Sequence, residues 1–361
     1  MSLLFTAARI GSLELPNRLV RSATAELLAD ANGRPLPKLK SMYQELARGG
    51  VGLIITGHMY VHPDGKAHPH MMGIYSDTLL PGLAELASVV HAEGGYVAVQ
   101  INHGGMHASD PSVKEAIAPS NVRASLARRT AREMTTAEVE MLIDAYAQAA
   151  HRVREAGFDA VQIHSAHGYL ISQFLSPLVN KRTDQWGGDA AGRMRFLRAV
   201  CRAVRGQVGP DYPVFVKLGL QDEYEGGLSL EEGLQVVGSL ESMDLDAVEI
   251  SVGLGTSSRK GTRTAEDEAY FRPWAHKSRR MTDLPIILVG GLRSRGMMEA
   301  VLAAGDADFI SLCRPLICEP DLPNRMRLGQ QERSSCISAN QCWEEEYGVG
   351  ISCKCPLEKM A

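Results

Sequence analysis

Two patterns of apolar residues alternate along the chain. Helical patterns end near glycine or a short Asp-containing turn, and short runs rich in β-branched residues follow, as in EAGFDAVQIH at 155–164. Glycine just past a helix end supplies a left-handed cap, after which a strand can begin. The pattern predicts eight strands, which lie within 47–56, 92–101, 155–164, 244–251 and 303–313 and within the shorter runs 19–23, 213–219 and 285–291.

Eight strand–helix units in one chain predict the α/β class and a closed (β/α)8 TIM barrel. A doubly wound open sheet is the alternative, and it is disfavoured because no Gly-x-Gly-x-x-Gly turn follows the first strand. The run RIGSLELPN predicts an N-terminal hairpin that closes the barrel floor. We assign residues 1–329 to the barrel and 330–361 to a Cys-containing C-terminal tail.

Alternation within a strand predicts which side chains face the barrel interior. In DAVQIH, Val161 and Ile163 share one face, whereas Ala160, Gln162 and His164 share the other. The helices of a barrel pack against the branched face, so the second face points inward.

The same alternation gives the inward side chains of other strands, namely Ala98 with Gln100, Phe215 with Lys217, and Ala247 with Glu249 and Ser251. The inward set therefore ends in Gln100, His164, Lys217 and Ser251, at the carboxyl ends of the strands. Barrel enzymes build their active sites at this rim, and His167 and Tyr169 begin the loop above it.

Composition excludes several classes of protein. A net charge of −4 and a pI of about 6.3 give no sign of a nucleic-acid partner. The run MSLLFTAAR is too short for a signal peptide, and no apolar run has membrane-spanning length. Seven cysteines in a chain of this length do not indicate a disulfide framework. We therefore expect a soluble cytoplasmic protein that acts on a small molecule, and we expect a homo-oligomer.

The loops after the last two strands predict a phosphate site. VGGLRS at 289–294 offers backbone N–H groups and the candidate helix cap Ser294, and Arg314 follows strand eight. Helix N-termini attract anions, and a guanidinium can fork onto phosphate oxygens. A tight turn beside a surface arginine is the simpler interpretation of the same residues.

The inward polar residues favour a flavin over other phosphate ligands. A flavin needs an amide at its pyrimidine edge and a cation near N1, and Gln100 and Lys217 suit these roles. His164 and His167 are placed to hold an oxygen of an electrophilic ligand, and Tyr169 to deliver a proton. A metal is the rival use of His-x-x-His, but no third ligand is evident nearby.

These motifs together resemble the Old Yellow Enzyme family of FMN-dependent oxidoreductases, in its bacterial NADH:flavin oxidoreductase branch. The resemblance covers about residues 3–329 and is carried by VQINHGG, VKLG, VGGLRS, FISLCRPLI and above all HSAHGYLISQFLSPLVNKRTDQWGG at 164–188. The branch is related to the barrels of 2,4-dienoyl-CoA reductase and trimethylamine dehydrogenase.

The resemblance implies that FMN takes hydride from NAD(P)H and that an activated alkene, an enone or an enoyl thioester, is reduced. It implies that His164 and His167 bind the substrate carbonyl and that Tyr169 protonates the α-carbon. The expected cofactor-binding residues are Ala23, Thr24, Ala25, His58, Gln100, Lys217, Ser251, Gly290, Gly291, Cys313 and Arg314. The chain departs from many relatives in carrying Ala25 where they have Cys or Thr, and from several in carrying Lys217 where they have Arg.

The tail departs further. Related barrels hold a [4Fe–4S] cluster with a Cys-x-x-Cys-x2/3-Cys run and a later cysteine. In this chain Cys336, Cys342 and Cys353 suit that pattern, but Ala339 replaces the second cysteine ligand. Cys355 is a spare thiol. We expect neither a cluster nor zinc, and we expect unliganded reduced thiols instead.

Other interpretations suit the same residues. The chain could be a dehydrogenase or demethylase of the same family, a flavin-free aldolase or isomerase with a Schiff base on Lys217, or a redox or metal sensor that uses 336–355. Two insertions, 102–134 and 252–264, are expected on the top face of the barrel, at the carboxyl ends of the strands. Their basic residues suggest binding of an anionic ligand, and solvated loops are the simpler interpretation. These basic residues are Arg123, Arg128, Arg129, Arg132, Arg259, Lys260 and Arg263.

Overall fold

The described residues of the computed structural model, 2–123, 127, 129–257, 260–262, 264–342 and 350–353, contain eight parallel strands that close into a barrel. These strands are β3 (Leu19–Arg21), β4 (Leu53–Ile55), β6 (Val97–Asn102), β9 (Ala160–Ser165), β10 (Val214–Gly219), β11 (Ala247–Ser251), β12 (Ile286–Val289) and β13 (Phe309–Leu312). Each pairs with the next in the chain, and β13 pairs with β3. The predicted TIM barrel is confirmed, and the open sheet is wrong.

Short strands lie at the two ends of the barrel. They are β1 (Ala8–Ile10), β2 (Leu13–Leu15), β5 (Met59–Tyr60), β7 (Ala116–Ala118) and β8 (Ala131–Glu133). β1 and β2 form the predicted antiparallel hairpin. Its side chains Ile10 and Leu15 are fully buried among the apolar residues of the barrel interior, so the hairpin closes the floor as expected.

Helices surround the strands. They are α1 (Pro37–Arg48), α2 (Leu80–His91), α3 (Thr136–Glu155), α4 (Leu170–Leu175), α5 (Ala190–Val208), α6 (Leu230–Ser239), α7 (Arg272–Ser278), α8 (Arg295–Ala303), α9 (Arg314–Cys318) and α10 (Leu322–Arg327). Four of them, α3, α5, α6 and α8, start at a residue whose side chain caps the helix. Thr135 and Glu138 form a capping box at α3, in which each side chain accepts the other residue's backbone N–H. Ser294 caps α8 by accepting the N–H of Met297.

Apolar side chains form two separate layers on either side of the strands. Val161 and Ile163 belong to the outer layer, which packs against the helices. Ala160, Phe215 and Ala247 belong to the inner layer, which fills the lower half of the barrel. The predicted division of the strand faces is therefore confirmed. The upper half of the interior is left for polar side chains.

Four of the seven basic residues named in the two top-face insertions lie within the described residues, namely Arg123, Arg129, Arg132 and Lys260. Arg132 is held in ion pairs with Glu115 and Glu138. Arg128, Arg259 and Arg263 lie outside the described residues. Within the described part of the chain, no helix is both long and apolar enough to cross a membrane.

The described tail residues contact the barrel, for example through Ser334, whose N–H bonds to the carbonyl of Arg293. Cys353 forms a disulfide with Cys318 at the end of α9, so the expectation of a reduced thiol at this position is wrong. Spacing did not reveal the pair because the fold joins two segments separated by 35 residues. Cys336 and Cys342 are buried outside this disulfide, and Cys355 lies beyond the described residues.

Candidate active site

A layer of buried polar side chains lies directly above the inner apolar layer. It consists of Ser22, Gln100, Gln162, Lys217, Glu249 and Ser311, and we call it the polar layer. Each of its strand residues lies two positions after an apolar inward residue, as Lys217 follows Phe215 and Glu249 follows Ala247. The period of two along a strand therefore builds one polar layer from six parts of the barrel.

Hydrogen bonds connect the whole polar layer. Gln100 Nε2 donates to Gln162 Oε1 at 2.7 Å, and Gln162 Nε2 donates to Glu249 Oε2 at 2.8 Å. Glu249 Oε1 also accepts from the hydroxyls of Ser22 and Ser311, at 2.7 and 2.9 Å. Lys217 Nζ donates to Ser22 Oγ at 2.8 Å and lies 3.2 Å from Glu249 Oε1.

Three aromatic side chains meet on the rim above the polar layer. The ring centroid of His164 lies 5.2 Å from that of His167 and 5.0 Å from that of Tyr169. His164 ends the inward face of β9, and Tyr169 immediately precedes α4. The sequence predicts that these side chains lie together because His164 is near the carboxyl end of β9 and His167 and Tyr169 follow that end.

Local hydrogen bonds fix the protonation of His164. Its Nδ1 accepts the backbone N–H of Ala166 at 3.3 Å, so the ring proton lies on Nε2. Burial lowers the pKa of His164 well below its usual value, and the neighbouring His167, His58 and Lys217 lower it further. His164 is thus a neutral imidazole with one N–H available as a donor.

His167 is positioned by the next part of the rim. Its Nε2 lies 2.8 Å from Ser251 Oγ, and its backbone N–H bonds to the carbonyl of Val252. The φ angle of His167 is +58°, a conformation that is uncommon for a residue with a Cβ. The turn therefore holds His167 beside His164 in a conformation that unconstrained backbone rarely adopts.

His58 reaches the same group of rings from the loop after β4. Its centroid lies 4.9 Å from that of Tyr169. The amide of Asn102 donates to His58 Nδ1 at 2.8 Å, which leaves the proton on Nε2, facing His68 Nε2 at 3.1 Å. Burial lowers the pKa of His58 well below its usual value. Sequence reasoning included His58 but missed Asn102 and His68.

The predicted phosphate-binding residues lie at a different part of the rim. Gly290 and Gly291 have φ angles of +118° and +70°, and a Cβ on either would lie 2.8 Å from the ring of Tyr270. Thr262 Oγ1 is buried beside Gly291 and has no hydrogen-bond partner among the described residues. Arg314, also buried, donates to the carbonyl of Lys260 at 3.0 Å.

The tail contributes to this part of the rim, which the sequence did not indicate. Arg314 Nη1 donates to Asn340 Oδ1 at 2.8 Å, so the barrel arginine and the tail are directly connected. A carboxylate from the loop before α7, Glu268, accepts the backbone N–H groups of Arg293 and Ser294 at the start of α8. That helix end is therefore already occupied by an anionic group.

The end of strand β3 brings the remaining predicted residues to the rim. Ala23, Thr24 and Ala25 follow the strand directly, and Thr24 Oγ1 lies 3.0 Å from Cys313 Sγ. Ala25 lines a small cavity together with His58. Thr24 thus turns toward β13 rather than toward the histidine group.

Glu249 is the main residue that sequence reasoning left without a role. Alternation places it on the inward face of β11, yet its contacts with Ser22 and Lys217 join residues from distant parts of the chain.

Among the described residues, no group of three or more His, Cys, Asp or Glu side chains is arranged to hold a metal ion.

Known proteins are similar in sequence to this chain over nearly its whole length. An NADH oxidase of Thermoanaerobacter brockii is 36% identical over 343 residues, which cover 93% of this chain and 52% of that protein. An NADPH dehydrogenase of Geobacillus thermodenitrificans is 35% identical over 323 residues, or 89% and 93% of the two chains. The chain thus spans about half the length of the first relative and nearly all of the second.

Solved structures share the fold over a similar extent. A 2-naphthoyl-CoA reductase in complex with 2-naphthoyl-CoA superposes with a TM-score of 0.87 at 30% identity, covering 94% of this chain and 54% of that one. The family model described as the NADH:flavin oxidoreductase / NADH oxidase family matches residues 3–333. The expectation of FMN with NAD(P)H as reductant is confirmed at the level of this family. The barrel, its rim and this match together establish that the chain belongs to the NADH:flavin oxidoreductase / NADH oxidase family.

Proposed function

We propose that the rim binds FMN and that the protein uses NAD(P)H to reduce the activated C=C bond of an α,β-unsaturated carbonyl compound. The residues at the phosphate end fit FMN. Thr262 Oγ1 is a buried hydroxyl without a hydrogen-bond partner among the described residues, beside the positive-φ backbone of Gly291. Arg314 is a buried guanidinium that contacts Tyr270, whose ring lies against Gly291, so hydroxyl, backbone and cation would be available to one anionic group.

The residues at the flavin-ring end fit as well. Lys217 has three N–H donors, and Ser22 and Glu249 take two of them, which leaves one for a ligand above. Gln100 uses its amide N–H toward Gln162 and keeps its carbonyl oxygen as an acceptor. Together these groups offer the pyrimidine edge of a flavin one cationic donor and one acceptor.

One observation carries the proposal: a neutral histidine donor and a phenol converge on the rim. FMN, when bound, would supply to the β-carbon of the substrate the hydride that NAD(P)H provides. His164 Nε2–H would hydrogen-bond the substrate carbonyl oxygen and stabilise the negative charge that develops there. Because His164 stays neutral, it donates a hydrogen bond without transferring a proton to the oxygen.

Tyr169 would complete the reduction. The α-carbon takes the phenolic proton as the C=C bond becomes a C–C bond, and water returns a proton to the Tyr169 oxygen. A positioned acid of this kind contributes about 10²–10⁴-fold to a rate. The ring of Tyr169 lies 5.0 Å from that of His164, so a carbonyl held by His164 brings its α-carbon close to the phenol.

An enoyl thioester belongs to the proposed substrate class beside simple enones. The related 2-naphthoyl-CoA reductase is described in complex with an acyl-CoA thioester. A Schiff base on Lys217 is less favoured, because that reaction needs a neutral, accessible amine. The amine of Lys217 is instead buried and ion-paired with Glu249.

The first test is the visible spectrum of the purified protein under anaerobic conditions. We expect flavin absorption that bleaches when NADPH or NADH is added and recovers when 2-cyclohexen-1-one is added. Protein that remains colourless after incubation with FMN would refute the proposal. Bleaching without recovery by enones or enoyl thioesters would refute the substrate class but leave the flavin site intact.

A single substitution then tests the role of Tyr169. Tyr169→Phe should lower the rate of enone reduction by about 10²–10⁴-fold. The rate of flavin reduction by NADPH should stay near that of the wild type, because this half-reaction needs no proton from the phenol. Tyr96→Phe, at the opposite end of the barrel, is the matched control. Equal losses in both half-reactions of Tyr169→Phe would indicate a structural role instead.

A further inference from the structure

Glu249 has no place in the proposed reaction, yet its contacts with the polar layer are extensive. It is fully buried on β11. Gln162, Ser22, Ser311 and Lys217 all direct N–H or O–H groups at its two oxygens, within 2.7 to 3.2 Å. A buried carboxylate is costly unless it is paired and hydrogen-bonded, and this carboxylate has both kinds of partner.

An ionised carboxylate only accepts hydrogen bonds, and this fixes the direction of the amides beside it. Gln162 must turn its NH2 group toward Glu249, which leaves its oxygen facing Gln100. Gln100 must then turn its own NH2 group toward Gln162. Its carbonyl oxygen is consequently the atom left for a ligand. Glu249 therefore determines, through two hydrogen bonds, which end of Gln100 the site presents.

The same carboxylate offsets the charge of Lys217. Lys217 Nζ lies 3.2 Å from Glu249 Oε1, and both side chains are buried, so water screens the pair weakly. A ligand above the polar layer is therefore exposed to a lysine whose positive charge is largely balanced. Reduction of a flavin adds negative charge to its ring, and positive charge near N1 favours that change.

We propose that Glu249 is a positioning residue that orients Gln100, offsets the charge of Lys217 and thereby lowers the reduction potential of the bound flavin. This inference rests on the proposed function, because it requires FMN on the rim. Glu249 is given no contact with cofactor or substrate in the proposed reaction, and it would act through Gln162, Gln100 and Lys217.

The test is the two-electron midpoint potential of bound FMN, measured by equilibrium reduction against a reference dye. Glu249→Gln keeps the shape of the side chain and removes its charge. We expect its potential to rise by about 30 mV or more, which is a tenfold change in the equilibrium constant. Lys217→Gln should lower the potential, and the double variant should lie between the two single variants. Glu140→Gln, on the exposed surface of α3, controls for net charge.

Removal of one member of a buried ion pair is strongly destabilising, whereas removal of both is often tolerated. If at least two of the three variants retain FMN, the order of their midpoint potentials is enough to test the inference. A Glu249→Gln potential at or below that of the wild type would overturn the inference, as would equal potentials in Glu249→Gln and the double variant. Failure of the wild-type protein to bind FMN would instead refute the proposed function.

Discussion

Ionisation of the buried Glu26 is expected to destabilise the protein as the pH rises toward neutrality. Glu26→Gln should remove this pH dependence. Glu26 is buried in the loop after β3, next to the residues proposed to contact FMN. Its Oε1 accepts the hydroxyl of Tyr43 at 3.0 Å and lies 3.8 Å from Arg21 Nη2. Burial raises the pKa of Glu26 from 4.5 to about 7, because these partners only partly replace the lost water.

The sign of the effect follows from proton binding. Between pH 4.5 and about 7 the folded protein holds the Glu26 proton more tightly than the unfolded chain does. The stability that this proton contributes is complete below pH 4.5 and is lost as the pH rises through about 7. A difference of about 2.5 between the two pKa values corresponds to about 3 kcal/mol, at 1.36 kcal/mol per pKa unit.

The assay is urea unfolding of the wild type and Glu26→Gln at a series of pH values from about 4.5 to 8.5. The free energy of unfolding of the wild type, minus that of the variant, should fall by about 3 kcal/mol across this range. Taking the difference cancels groups that titrate alike in both proteins. Glu140→Gln, an exposed change of the same kind, should show no trend. A flat difference for Glu26→Gln would refute the assigned pKa, and a rising one would show that Arg21 outweighs burial.

Three further outcomes are expected. Arg314→Lys keeps the positive charge but loses the planar guanidinium fork, so the Kd for FMN should rise about tenfold while the Kd for riboflavin stays constant. An equal loss of affinity for FMN and riboflavin would exclude a phosphate contact. Reduction of Cys318–Cys353, which are 35 residues apart, should lower the free energy of unfolding by about 4 kcal/mol, and a variant with serine at both positions should not respond to reductant. Because the pKa of His164 is lowered, the pH profile of kcat/KM for an enone should show no inflection near pH 6.5. An inflection near pH 6.5 that is absent from His164→Asn would contradict this prediction.

The fold and the rim were accessible from the sequence because a barrel strand has two buried faces of different character. The outward face of β9 is branched and packs on helices, whereas its inward face changes from Ala160 to Gln162 to His164. The period of two therefore predicts both the layer and the height of a side chain in the barrel. Gln100 and Lys217 were found in the same way.

Contacts between distant segments were not accessible in this way. Alternation placed Glu249 inside the barrel, but its hydrogen bond to Ser22 joins residues 227 positions apart. Barrel closure brings them together, and no local pattern records it. The disulfide of Cys318 with Cys353 was missed for the same reason, because the tail folds back onto the end of α9.

The layered interior explains how a site so rich in polar groups remains compatible with a stable barrel. The apolar floor supplies hydrophobic burial, and the polar layer above it gives Glu249 and Lys217 hydrogen-bond partners, as buried ionic groups require. Only the groups left over from this network reach the rim, among them one lysine N–H and one glutamine oxygen. The polar layer thus determines which donors and acceptors the rim offers. A search for functional residues in such a barrel should therefore include the layer beneath the rim.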